Sequence, residues 1–212
     1  QMKDEIQVCV VDGQGNPGTT FTYSVYQYAD YILKTSDDEA LKTLVVQMLD
    51  YGAAAQAYFG HNTENPANEG VSTDHVVSDS APADNNMTVA ESGSAEGISF
   101  HGASLVAKEK VYIRYYFNIA DTVDYAEFTC NGEPLKVYKY NDLYYVQVPG
   151  LNPADYDENV TVKVNGEAYT VTYSVMHYIS RTYHGQNTEQ GLKDLVNALY
   201  NYHLAAEAYP GN

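Results

Sequence analysis

LKTLVVQMLDYGAAAQAYFG runs from Leu41 to Gly60, and LKDLVNALYNYHLAAEAYPG runs from Leu192 to Gly211. The two stretches agree at Leu44/Leu195, Tyr51/Tyr202, Ala54/Ala205, Tyr58/Tyr209 and Gly60/Gly211. Upstream, FTYSV at Phe21–Val25 matches VTYSV at Val171–Val175, and Tyr23/Tyr173, Ser24/Ser174 and Tyr28/Tyr178 correspond. The offset changes by a single residue, in the loop before the long helix. Chance does not produce agreement of this length, so the sequence reads as one unit used twice.

Each copy predicts the same local structure. A short helix starts after Ser24 or Ser174, whose hydroxyl can cap it, and Gln27 stands at the capping-box distance from Ser24. A long helix is expected to begin near Ser36-x-x-Glu39 in the first copy and Asn187-x-x-Gln190 in the second. Leu41, Leu44, Val45, Met48, Leu49, Ala55 and Tyr58 form one apolar face, as do Leu192, Leu195, Val196, Leu199, Ala206 and Tyr209. Gly60 and Gly211 are placed to end these helices in a left-handed cap. The alanines Ala53, Ala54, Ala55 and Ala57 leave a smooth face that another element can approach closely.

A β-hairpin precedes each helical pair. Ile6–Val11 alternates, DGQGNPG turns, and Thr20–Val25 returns. In the second copy Val160–Val164 and Tyr169–Tyr173 flank Asn165-Gly166. Further strands are expected at Ile98–Leu105, Val111–Asn118, Tyr125–Cys130, Leu135–Tyr140 and Leu143–Val148, with turns at Asn131-Gly132 and Asn141-Asp142. Short strands with regular turns predict an Ig-like antiparallel β-sandwich. The fold class is therefore α+β: the sandwich, two repeated helical hairpins and an extra N-terminal β-hairpin. The helical pairs are expected to pack together or against the sandwich. Residues 1–62 form a truncated first repeat, 63–96 a polar surface linker, and 97–212 the second repeat. The first hairpin is either the tail of a sandwich lying upstream, or it pairs with something else here.

The formal charge is −17, and Arg114 and Arg181 are the only arginines. Such a chain repels phosphate backbones and anionic lipid, so neither nucleic acid nor a membrane surface is an expected partner. No apolar run reaches the ~18 residues of a membrane span. The chain begins without a signal peptide, and its start is read as a cut from a longer protein. Cys9 and Cys130 fit no metal spacing and no CxxC motif. Two readings of them stay open: one disulfide, or two buried thiols acting as small apolar residues, the second being preferred.

TYSVYQYADYIL followed by LVVQMLDYGAAAQAYFGHNTENPAN resembles a recurrent module of surface proteins from gut anaerobic Firmicutes. In that module a YS-V-x-x-Y-A helix leads to LLNYGAAAQ-x-YF-x-YNTDNLAN. ISFHGASLVAKEKVYIRYYF, Ile98–Phe117, is similar to the strand pair that opens its sandwich. Sandwich followed by helices also resembles the starch-adherence proteins of gut amylosomes. The resemblance implies an extracellular, cell-surface, non-catalytic glycan-binding module beside other domains of its parent protein, with α-glucan (starch) favoured. LYNYHLAAEAYPGN in the second copy departs from the family pattern, which puts equal function of the two copies in doubt.

The residues themselves offer no GxSxG, HExxH or phosphate-binding glycine loop, and no cofactor is expected. The chain carries 28 acidic residues, so a glycosidase pair stays open, but a non-catalytic chain is the expectation. Asp155, Asp157 and Glu158 lack EF-hand spacing and read as a solvated loop, and none of the six His residues forms an i, i+4 metal pair on a helix. The 22 Tyr and 5 Phe with no Trp suit half-wet surfaces on which sugar rings stack.

Tyr residues matched between copies read as structural, and unmatched ones are freer for function. Two clusters follow. One is the loop bearing Arg181, Tyr183, His184, Gln186 and Asn187, which offers a ring and planar donors. The other is YKYNDLYY, with Tyr138, Tyr140, Asn141 and Tyr144 around a hairpin tip. Tyr112, Arg114 and Tyr116 share a third, alternating face. The plain reading of each is an exposed Tyr-rich β face. The expected ligand is a polysaccharide or oligosaccharide held in a groove between sheet and helices. The alternative function is a structural or adhesion spacer.

Overall fold

A computed structural model describes residues 2–71, 75–84, 89–108 and 110–209. Strands β1 (Ile6–Val11) and β2 (Pro17–Tyr23) are followed by helices α1 (Val25–Thr35) and α2 (Glu39–Phe59). Then come β3 (Ala90–Gly93), β4 (Ile98–Ala107), β5 (Val111–Ile119), β6 (Phe128–Cys130) and β7 (Glu133–Pro134). The chain continues through β8 (Val137–Tyr140), β9 (Leu143–Gln147), β10 (Val160–Val164), β11 (Tyr169–Tyr173), α3 (Val175–His184) and α4 (Gln190–Ala208). The protein is α+β, with antiparallel sheets. It divides into two compact units: residues 1–81 with 189–212, and residues 82–188.

In the first unit the long helices α2 and α4 pack together, and the matched Tyr51 and Tyr202 stack at 6.0 Å with 14° between ring planes. Ala29 and Leu33 of α1 bury against Val45 and Leu49 of α2. The expected capping box is present: the Ser24 hydroxyl accepts from Gln27 N, and Gln27 Oε1 accepts from Ser24 N. The long helix starts later than expected. Ser36 closes α1, and Asp38 caps α2 through Leu41 N at 3.0 Å. A carboxylate there also gains from the helix dipole. Glu189 precedes α4 without a side-chain cap, so Asn187 does not serve as one. Gly60 ends α2 at φ 66°, as expected, while Gly211 lies outside the described residues.

The segment after α2 is poor in apolar residues and reads as a surface linker with room for partial order against a lobe. Its first part is anchored by polar contacts. Gln56, buried in α2, donates to the carbonyls of Asn62 and Asn65 and accepts from Ala67 N at 2.6 Å. Asn201 of α4 holds both backbone groups of Ser80. Gly52 admits this segment: a Cβ there would meet Ala67 Cβ at 3.0 Å and the Met2 side chain at 2.9 Å.

Residues 82–188 carry two sheets, ordered β3-β11-β10-β6-β7 and β4-β5-β9-β8. Their inward rows meet, with Phe117 of β5 against Phe128 of β6 at 4.9 Å and Tyr115 against Tyr173 at 6.4 Å. The Tyr115 hydroxyl donates to the Val160 carbonyl at 2.7 Å. Asn131-Gly132 and Asn141-Asp142 make two-residue hairpins, with Asn131 at φ 51° and Asn141 at φ 52°. Several strand limits differ from expectation. β2 runs from Pro17 to Tyr23, since Val25 opens α1. Tyr125–Glu127 lie outside β6, and β3 adds an edge that the polar sequence around Ala90 did not announce.

Neither cysteine is bonded. Cys130 is buried, as one reading had it, but Cys9 is exposed on β1. The preferred reading of two buried thiols therefore fails for Cys9, which sits on the polar face of its hairpin.

Candidate functional site

A groove of about 530 Å³ opens in residues 82–188. One wall is β4 at His101–Ser104, with Tyr116 of β5 beside it. Tyr140 and Leu143 come from the β8–β9 hairpin, Tyr173 from the end of β11, and Tyr178, Arg181 and Thr182 from α3. Thr188 completes the lining. The spacing of Tyr178, Arg181 and Thr182 puts them on one face of α3. The bulge between Phe100 and Gly102 places His101 at the rim. Gly102 opposes Tyr116 and carries no side chain, so the floor beside the Tyr116 ring stays open.

The outer face of β5, β9 and β8 bears a cross-strand aromatic ladder. Tyr138 stacks on Tyr145 at 5.1 Å and 16°, and Tyr116 meets Tyr145 at 5.6 Å. Arg114 lies over the Tyr145 ring at 4.7 Å and bonds Gln147 through Nε. Lys136 lies over Tyr138 at 5.1 Å. These contacts engage the faces of Tyr138 and Tyr145 that a pyranose would need. Tyr140, 60% exposed at the hairpin tip, presents a ring at the groove.

The two expected clusters are therefore partly assembled. Arg181 and Tyr140, one from each, line the same groove. Tyr138 shares the outer face but belongs to the ladder. Tyr144 opposes Phe117 and alternates with Tyr145, so it points to the other side of its sheet. Asn141 is exposed in the hairpin turn. The Arg181 region is not a loop: α3 continues to His184 because Ser174 caps it and Gly185 ends it. Tyr183 and His184 pack edge to face at 5.1 Å, and His184 Nε2 contacts the Pro82 carbonyl at 2.8 Å. Gln186 and Asn187 are exposed beyond the helix and do not line the groove.

Tyr178, His101, Ser104, Thr182 and Thr188 were not expected as site residues. The match of Tyr178 to Tyr28 points to a structural role, and nothing in the sequence near His101 announces a groove. Burial, its largest cause, pushes the Tyr173 hydroxyl up to about 12, so it stands at the groove as a neutral hydroxyl. Burial likewise raises Tyr115 and the Cys130 thiol. The described lining offers hydroxyls, an imidazole, a guanidinium and rings, and no carboxylate. No group of three or more His, Cys, Asp or Glu that could hold a metal ion is found among the described residues. No described helix is long and apolar enough to cross a membrane.

No family model, curated protein or solved structure matches this chain.

Proposed function

We propose that residues 82–188 form an Ig-like β-sandwich that binds glycan without catalysis, in the groove beside α3. The hairpin and two helices are one unit used twice, within an extracellular protein of several domains. The single observation that carries the reading is the convergence of Tyr140, Tyr116 and Tyr178 with Arg181 and His101 around one groove. Sugar recognition needs an apolar ring face and planar or hydroxyl donors within the span of one or two sugar units, and this lining supplies both. Among glycans, α-glucan is favoured through the resemblance to starch-adherence proteins. The glycan would stack on Tyr140 and hydrogen-bond to Arg181, Ser104 and Thr182.

Electrophoresis of the full chain in gels containing soluble starch, with xylan, pectin and mixed-linkage glucan as controls, tests this. Retardation in starch that is lost in Tyr140→Ala and Tyr178→Ala supports it. Unchanged mobility in every gel overturns the glycan reading and leaves the spacer or adhesion module, which the exposed apolar face of β1–β2 favours.

A further inference from the structure

The hairpins β1–β2 and β10–β11 share one pairing register. Ile6 opposes Tyr23 and Val8 opposes Phe21, as Val160 opposes Tyr173 and Val162 opposes Val171. Alternation places Ile6, Val8, Val10, Phe21 and Tyr23 on one face and Gln7, Cys9, Thr20 and Thr22 on the other. In β10–β11 the equivalent apolar face is an interface. Val162 and Val171 are 0% exposed and Tyr173 is 3% exposed, covered by Tyr115 and its neighbours on β5. Both edges are also taken, by β3 beside β11 and β6 beside β10.

The first hairpin has none of this. Val8 is 54%, Phe21 56% and Tyr23 51% exposed, and β1–β2 is a sheet of two strands with both outer edges unpaired among the described residues. Exposed Val25 and Tyr28 extend the patch onto α1. A two-stranded ribbon with one bare apolar face is marginal in water, and contiguous apolar patches mark docking sites.

We propose that this face docks a β-layer of the kind that β3–β9 supply to β10–β11. That layer has an inward row of aromatic and β-branched residues, with one strand for each hairpin edge. It comes from a further segment of the parent polypeptide. A second copy of this chain is a poor source, because the inward row of its own layer already covers β10–β11. The proposal rests on reading the two copies as one unit.

The test duplicates residues 90–159 ahead of Ile6 in the full chain and follows amide hydrogen exchange. Expected is slowing of the Val8 and Phe21 amides by about 100-fold or more, abolished by Val8→Asp in the same extended chain. Unchanged exchange there, while β10–β11 stays protected, overturns the proposal. So does an unextended chain that dimerises and becomes monomeric on Phe21→Asp, since the occupant is then a second copy. Fast exchange in β10–β11 of the unextended chain instead overturns the sandwich reading of residues 82–188. That outcome separates the two failures.

Discussion

The β1–β2 hairpin with α1 and the β10–β11 hairpin with α3 share cap and register, yet their burial is opposite. Ser24 and Ser174 each accept from the backbone N–H three residues on, with a reciprocal bond to the Gln27 side chain added at Ser24, and the pairs Val8/Phe21 and Val162/Val171 occupy the same places. Val171 is sealed beneath a second sheet, whereas Phe21 stands in solvent. Local sequence therefore sets the shape of each hairpin with its helix, and a layer from elsewhere in the chain decides whether its apolar face is buried. Turn chemistry and capping act over a few residues, while burial depends on partners far away in sequence.

The largest effect comes from charging the two matched positions. Val171→Asp places a carboxylate in a closed core and should cost residues 82–188 more than ~4 kcal/mol. Phe21→Asp should stay within ~0.5 kcal/mol at its exposed site. Urea unfolding of both variants checks this, and equal losses would erase the contrast. Next, Phe117→Ala removes the ring that joins the two sheets and should cost ~3–5 kcal/mol. A loss below that of a surface change would mean the sheets are not held together there.

Capping gives a smaller difference. Ser24→Ala should cost ~1 kcal/mol. Ser174→Ala should cost ~2 kcal/mol, because the buried hydroxyl also contacts His177 Nδ1 at 2.7 Å. Thermal unfolding of the pair reads it.

The pH dependence has a defined sign. Burial, the first cause in each, pushes Tyr173 and Tyr51 up to about 12. Below the ordinary tyrosine value of about 10, folded and unfolded chains both keep these protons and stability is complete. Between that value and about 12 the unfolded chain releases them first, so stability falls as pH rises. Denaturation midpoints measured across that window should decline, and Tyr173→Phe should shallow the decline. A flat profile would mean these rings are wet. Tyr140→Ala, like Phe21→Asp, should stay within ~0.5 kcal/mol in stability, while the proposed glycan binding should be lost with it.

Much of the fold was legible where the signal is local. The Ser24–Gln27 cap, the Asn131-Gly132 turn, the apolar stripes of α2 and α4 and the left-handed Gly60 all lie within a few residues of their cause. Asp38 displaced Ser36 because α1 runs on to Thr35 and Ser36 is spent closing it. β3 was invisible because an edge strand of Ala, Glu, Ser and Gly has no alternation to read.

The groove was half legible. Arg181 and Tyr140 were singled out by type and position, and the fold brings them together. The match of Tyr178 to Tyr28 reads as a structural role, yet Tyr178 lines the groove while Tyr28 faces solvent. Tyr144 and Tyr138 were grouped by proximity in sequence, which strand alternation and cross-strand stacking undo.

The most direct test of the central claim is an NMR titration of the labelled full chain with maltoheptaose. The account predicts saturable amide shifts confined to residues 101–104, 140–143 and 178–188, absent in Tyr140→Ala. No shifts at millimolar ligand, or shifts centred elsewhere in the chain, would contradict it.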